Sequence, residues 1–389
     1  MKRTTSLCLL LSLPVLAACG TESTKQPTGG DEAAARTVAV DSGDDACDVS
    51  TAEAPAGTLT FNVKNSGSDV TEFYLLAEDG LQIIAEIENI GPQSTKTLTV
   101  SAPEGSYLTA CKPGMTGDGI RADFTVTESD EEVVVSADDQ ELIETAQANY
   151  AAYVEDQSAQ LLEQTTEFVR LYLAGDDDAA RALYPVARTH WERIETVAES
   201  FGDLDPKMDA READLAEGEK WTGWHLIEKD LWPARAENYT PLTSAERATF
   251  ANDLLANTQV LDDRIQELTY TIDQIANGSR GLLEEVANGK VTGEEEFWSR
   301  TDLWDFQANV DGAKVAFGGV KPILDSKDPE LSAQLTERFD ALQVLLDEQR
   351  VGEGFKYYDE LTPEEIKALA DAVNALSEPL SNLTAAVLG

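Results

Sequence analysis

The hydrophobic pattern of this chain changes period near Asp138, so one kind of secondary structure cannot satisfy both halves. From Thr37 to about Ala137, runs such as Leu59–Val63, Glu72–Leu76, Lys96–Val100 and Asp123–Thr127 alternate or carry β-branched and aromatic side chains. Gly67, Gly80, Gly91-Pro92 and Gly105 punctuate them. About seven short strands at this spacing predict an antiparallel β-sandwich over 37–137. Beyond it, apolar residues recur at steps of three and four. Val154, Leu161, Phe168 and Tyr172 form one stripe, and Leu183, Ala187, Ile194, Val197 and Phe201 a second. Phe250 to Ile275 gives a longer one. Thr362-Pro-Glu-Glu365 is a capping box with proline at the first helical position, followed by Ile366, Leu369, Val373, Leu376, Leu380, Leu383 and Val387. Residues 138–389 are long enough for an all-α helical bundle with its own core, giving a two-domain α+β chain.

The first residues are a different matter. Met1-Lys2-Arg3 is basic, Leu7–Leu16 is apolar and too short to stay in a bilayer, and Leu16-Ala-Ala-Cys19 has the form of a bacterial lipobox. Residues 1–18 therefore read as a lipoprotein signal peptide and Cys19 as the lipidated residue. Gly20 to Arg36 has few large apolar residues and reads as a flexible tether. The expected location is the extracytoplasmic face of the cell membrane, held there by the lipid anchor.

The full chain has a formal net charge of −44, with 73 acidic and 29 basic side chains. That sign disfavours nucleic acid and anionic membrane surfaces as partners and favours cations. Histidine is scarce: His190 and His225 are the two present. Any metal site must then be mostly oxygen-ligated. One constellation suits that chemistry. Gly223-Trp-His225-Leu-Ile-Glu228 follows Thr222, taken as the N-cap, and on a helix His225 and Glu228 share a face. Glu192, Glu195 and Glu199 follow one another at steps of three and four, and the segment Asp203–Glu212 adds further carboxylates, Asp209 among them. Carboxylates around one imidazole suit hard or borderline cations such as iron, with zinc as a surrogate. Removing one carboxylate from such a set should leave the metal-free fold intact or slightly more stable. His190 is in phase with the apolar stripe and reads as a packed or capping histidine. No His-Glu-x-x-His motif is present, which counts against a zincin-type peptidase.

Several separated stretches carry a resemblance: Tyr184–Glu195, Asp203-Leu-Asp-Pro206, Asp209-Ala-Arg211, Gly223–Lys229 and Thr301–Asn309. From about residue 140 to the end, the chain resembles the imelysin-like domain of the EfeO family, extracytoplasmic components of bacterial ferrous-iron uptake systems. The resemblance implies iron (Fe2+ or Fe3+) bound by Glu192, Glu195, Asp209, His225 and Glu228. A further glutamate from a later helix is expected, with Glu284 the first choice and Glu295 the second. It also implies delivery to a membrane iron permease, and a haem peroxidase of the same system as a further partner. The alternative is a metal-dependent enzyme, either an imelysin-type metallopeptidase or a ferroxidase-assisting protein. Arg300 stands where the family is expected to have histidine.

The longer members of that family resemble this architecture in having a cupredoxin-like domain before the helical one. Residues 37–137 contain no histidine, so a blue-copper centre, which needs two, is excluded. Cys47, Cys111 and Met115 remain, with Glu72, Glu86 and Glu88. Two readings stand at this point. The resemblance implies a metal site of Cys47 and Cys111 with Glu72 and Glu86, where sulfur would favour copper and oxygen iron; the other reading is a disulfide between the cysteines, which export permits.

Overall fold

The computed structural model describes residues 34–115, 117, 119–129, 137–215, 218 and 220–389; the expected signal peptide (1–18) and Cys19 lie outside the described residues. Alternation of apolar and polar side chains does produce strands. β4 (Gly57–Asn65) buries Leu59, Phe61 and Val63 on one face and leaves the intervening residues more open. One sheet runs β2 (Cys47–Val49), β1 (Thr37–Ser42), β4, β7 (Thr95–Ala102). The other runs β3 (Glu53–Pro55), β9 (Ile120–Thr127), β8 (Gly105–Cys111), β5 (Thr71–Ala77), β6 (Ile83–Ile90). Pairing is antiparallel except β1 with β4 and β3 with β9, which are parallel. Phe61, Phe73 and Phe124 meet at the centre of the sandwich, with ring centroids 5.2 and 5.5 Å apart. Arg36, at the end of the expected tether, already bonds Ala56 O at 3.1 Å and Ser129 Oγ at 2.8 Å, so the ordered body begins before Thr37.

The helical half contains α1 (Ala137–Ala174), α2 (Asp177–Glu192), α3 (Glu195–Glu199), α4 (Asp205–Met208), α5 (Trp224–Leu231), α6 (Ser244–Ile265) and α7 (Ile272–Asn288). It continues with α8 (Asp302–Lys327), α9 (Pro329–Asp347), α10 (Pro363–Leu380) and α11 (Leu383–Leu388), and a two-stranded ribbon, Arg350–Val351 with Gly354–Phe355. The central α8 packs on α1, α2, α7 and α9. Thr362 caps α10 as the capping box predicts. Three predicted apolar stripes are broken: Leu183–Phe201 crosses from α2 to α3, Ile366–Val387 is split at Ser381-Asn382 between α10 and α11, and the third is the longest. Phe250–Ile275 spans α6 and α7, separated by a loop that ends in a capping box at Thr271. Glu192, Glu195 and Glu199 lie on two helices, because the chain turns at Arg193-Ile194. Among the described residues no helix is long and apolar enough to cross a membrane.

The two halves meet along β6, β7 and α7. Asp273 accepts from Ser101 N at 2.8 Å, Asn277 Nδ2 donates to Thr99 O at 2.9 Å, and Arg280 Nη2 donates to Glu86 O at 3.3 Å. Ile83 N donates to Ser200 O at 3.0 Å, fixing the start of β6 against the end of α3.

Candidate metal centre

Gly223 sets the position of the histidine. Its φ is +91°, and a Cβ there would lie 2.2 Å from Met208 O, so no other residue fits without moving α4. Gly223, and not Thr222, is the N-cap of α5; Thr222 Oγ1 donates instead to Lys207 O at 2.7 Å. Trp224, Ile227 and Leu231 anchor α5 in the core. The opposite side of the turn buries His225 and Glu228.

Three segments bring carboxylates to His225. Its Nε2 lies 3.4 Å from Asp209 Oδ1, just after α4, and 3.4 Å from Glu295 Oε1, in the loop before α8. Its Nδ1 lies 3.4 Å from Glu228 Oε2. Glu228 Oε1 accepts the backbone N–H groups of Trp298 and Ser299 at 2.8 and 2.6 Å, tying the loop that carries Glu295 to α5. One atom each from Asp209, His225 and Glu295 lie within 4.8 Å of one another, as do atoms from Glu192, Glu195 and Asp209, and from His225, Glu228 and Glu296. Five of the six sequence-derived candidates in the helical half therefore converge: Glu192, Glu195, Asp209, His225 and Glu228. Glu284 does not. It faces the sandwich, where Lys96 Nζ reaches it at 3.2 Å. Its neighbour Glu285 instead turns towards Glu195 and Glu199, and Glu295 is the later glutamate that lies beside His225.

Buried cations sit among these acids, which sequence reading did not anticipate. Arg188, fully buried, contacts Glu192 and Asp209 and lies 2.6 Å from Glu296 Oε1 and 3.5 Å from Glu295 Oε1. Lys290 Nζ donates to both oxygens of Glu195 at 2.8 and 2.7 Å and lies 2.9 Å from Glu192 Oε2. Asn309 Nδ2 donates to Glu195 Oε2 at 2.8 Å and to the Glu192 carbonyl at 2.7 Å. Arg188 and Asn309 fall inside the stretches that carry the family resemblance. Lys290 had no sequence signal at all, since a lone lysine after Gly289 reads as a surface residue.

Electrostatics follow from this packing. Burial and the Arg188 charge push the His225 imidazole down, but the hydrogen-bonded Glu228 and Glu295 and the charge of Asp209 outweigh them and hold it well above its usual range. Glu295 is held well below the carboxylate range: burial opposes this, and the Lys290 charge and the His225 hydrogen bond prevail. Burial works against the Lys290 ammonium too, yet Glu192 and Glu195 hold it well above the usual lysine range. His190 lies apart, bonded to Gln157 Oε1 at 2.9 Å, and burial together with Arg193 lowers it to about 4, as suits a packed neutral histidine.

The sandwich does not assemble the metal site proposed from sulfur and carboxylate. Cys47 and Cys111 form a disulfide. The alternation of β5 gives the physical reason the acids stay away from it. Cys111 pairs with Phe73 on the inner face, whereas Glu72, next along the strand, points outward with Tyr74. Glu86 pairs with Tyr74 and shares that outer face. Glu72 is bonded to Tyr74 and lies 3.4 Å from Lys112 Nζ. Glu86 faces the domain junction, where burial and the charges of Glu72 and Glu285 push its carboxyl up to about 8. Met115 is exposed, and Arg300 stacks on Phe297 with its guanidinium 4.7 Å from the ring centroid.

A cupredoxin-like sandwich docked on a helical bundle with an inward cluster of carboxylates and one imidazole defines a two-domain cupredoxin–imelysin protein. The family described as imelysin matches residues 146–383, and that described as cupredoxin-like domain matches residues 9–126. The iron uptake system component EfeO of Yersinia pestis is 36% identical over 386 residues, covering 98% of this chain and 96% of its own length. EfeO of Escherichia coli O1:K1 is 34% identical over 346 residues, 87% of this chain and 88% of its own. An Efem/EfeO family lipoprotein of Staphylococcus haemolyticus is 43% identical over 244 residues, 62% of this chain and 83% of its own. The chain belongs to the EfeO family.

Proposed function

We propose that this chain is an extracytoplasmic iron-binding component of an iron uptake system, tethered by a lipid on Cys19, that captures iron in the helical cluster and passes it to a membrane permease. The observation that carries the reading is the convergence of His225 Nε2 with Asp209 and Glu295, flanked by Glu192 and Glu195, from four separate segments. Hard oxygen donors with one imidazole suit iron, which is cargo here. The strongly acidic surface raises the local concentration of cations. The names of the relatives, uptake components and a lipoprotein, support both the role and the location. With Cys47 and Cys111 joined, the sandwich no longer offers the two thiolates that would favour copper. Glu228 accepts two backbone N–H groups, which suits a residue that orients His225 better than a general base of a peptidase.

Titration of iron into the full mature chain tests the reading. Glu192→Ala, His225→Ala and Glu295→Gln should each weaken binding by at least about tenfold. Glu284→Gln, at the domain junction, should bind as the parent does. Parent-like binding by all of the first three would place the site elsewhere.

A further inference from the structure

Lys290 is 1% exposed and its ammonium spends its hydrogens on Glu195 and Glu192, at 2.7–2.9 Å from three of their oxygens. A transition-metal ion bound to those oxygens would need them at roughly 2.0–2.2 Å, as in zinc–carboxylate bonds. The ammonium and the ion cannot share them: both are cations, and together they would crowd the same lone pairs. Arg188 is different. It is spread over Glu192, Asp209, Glu295 and Glu296 through a planar guanidinium and bridges α2 to the loop before α8, as a structural strut would. Lys290 instead ends a flexible four-carbon stem, and its ammonium can swing without moving the backbone.

A place for it exists beside the cluster. Glu199 and Glu285 each put an oxygen within 4.8 Å of Glu195, and neither has an ion-pair partner among the described residues. Both line the cleft at the domain junction, with Glu86 and Glu88 opposite. Asn309 meanwhile keeps Glu192 and Glu195 aimed at one point without adding charge.

We infer that Lys290 is an internal stand-in for the cargo: its ammonium occupies the Glu192–Glu195 pair when iron is absent, and moves to Glu199 and Glu285 when iron enters. The proposal rests on the reading of the helical cluster as the iron site. Lys290 thereby sets the threshold of the site. A cation must out-compete a buried ammonium, and return of the ammonium favours release. A monovalent ion gains little over the ammonium it displaces, so the exchange selects for higher charge.

The experiment is titration of ferrous iron, under anaerobic conditions and against a competing chelator, into the full mature chain. Lys290→Met, Lys290→Arg and the Glu199→Gln/Glu285→Gln pair are compared, with folding checked by circular dichroism. If the open arrangement is populated about one time in ten or less, removing the competitor tightens apparent binding by about tenfold or more. Lys290→Met should therefore bind tighter at unchanged stoichiometry. Lys290→Arg, which keeps the charge, should not gain affinity. The Glu199→Gln/Glu285→Gln pair should bind more weakly, because the displaced ammonium has lost its acceptor. A merely structural lysine would give loss or no change in both Lys290→Met and the paired variant, not effects of opposite sign. A folded Lys290→Met that binds like the parent or more weakly overturns the proposal, as does parent-like binding by the paired variant. Glu295→Gln serves as the separate control, since Glu295 contacts His225, Arg188 and Arg211 and feels Lys290 only through its charge, with no direct bond to it among the described residues. Parent-like binding by Glu295→Gln and Glu192→Ala would sink the site itself, whatever Lys290→Met does.

Discussion

Glu195→Ala should destabilise the metal-free protein, the reverse of what carboxylate repulsion alone suggests. Glu195 accepts two hydrogen bonds from Lys290 and one from Asn309, all at 2.7–2.8 Å, and is 5% exposed. Deleting one partner of a buried ion pair typically costs 3–5 kcal/mol, because the surviving charge is left without compensation. Lys290 keeps Glu192 at 2.9 Å, so the lower end applies, about 3 kcal/mol. For a helical half of this size that is a fall of roughly 6–12 °C in Tm. Differential scanning calorimetry of chelator-treated protein measures it. In the double variant Glu195→Ala/Lys290→Met the destabilisation should be less than the sum of the two, with a coupling of about 2–3 kcal/mol. A metal-free Glu195→Ala that melts at or above the parent temperature would show that repulsion dominates and that the ion pair contributes nothing.

Four further outcomes are expected. Non-reduced peptide mapping should recover Cys47 linked to Cys111, and reduction should destabilise the sandwich by about 4 kcal/mol for a separation of 64 residues while iron binding in the helical half persists; free thiols would refute it. The folded value of His190 is depressed to about 4, so its contribution to stability is present above about pH 6.5 and lost as pH falls towards 4. The parent should therefore lose about 2 kcal/mol more than His190→Gln across that window in urea unfolding, the full shift being discounted for partial solvation of the ring; equal losses would contradict it. Gly223→Ala should cost at least about 2 kcal/mol and weaken iron binding, because its Cβ would meet Met208 O and push α5 away; an unperturbed variant would refute the stated geometry. Cys19→Ser should release the protein from the membrane fraction, and unchanged retention would rule out the lipid anchor.

The residue pattern alone determined the change from sandwich to bundle, because burial on one face writes a period of two into a strand and about 3.6 into a helix. It also determined the Gly223–Glu228 motif, since His225 and Glu228 need only one helical turn to become neighbours. Ligands far apart in sequence were another matter. Glu284 and Glu295 are both acids in a strongly acidic chain, and only the fold decides that one faces Lys96 across the domain junction while the other meets His225. The sandwich shows the same division. Cys47, Cys111, Glu72 and Glu86 were legible as candidates, but strand register put the cysteines inside and the glutamates outside. Lys290 was invisible because its role depends on nothing near it in the chain. Its partners, Glu192 and Glu195, come to it from almost a hundred residues away, and a buried ammonium persists only where tertiary packing supplies those oxygens.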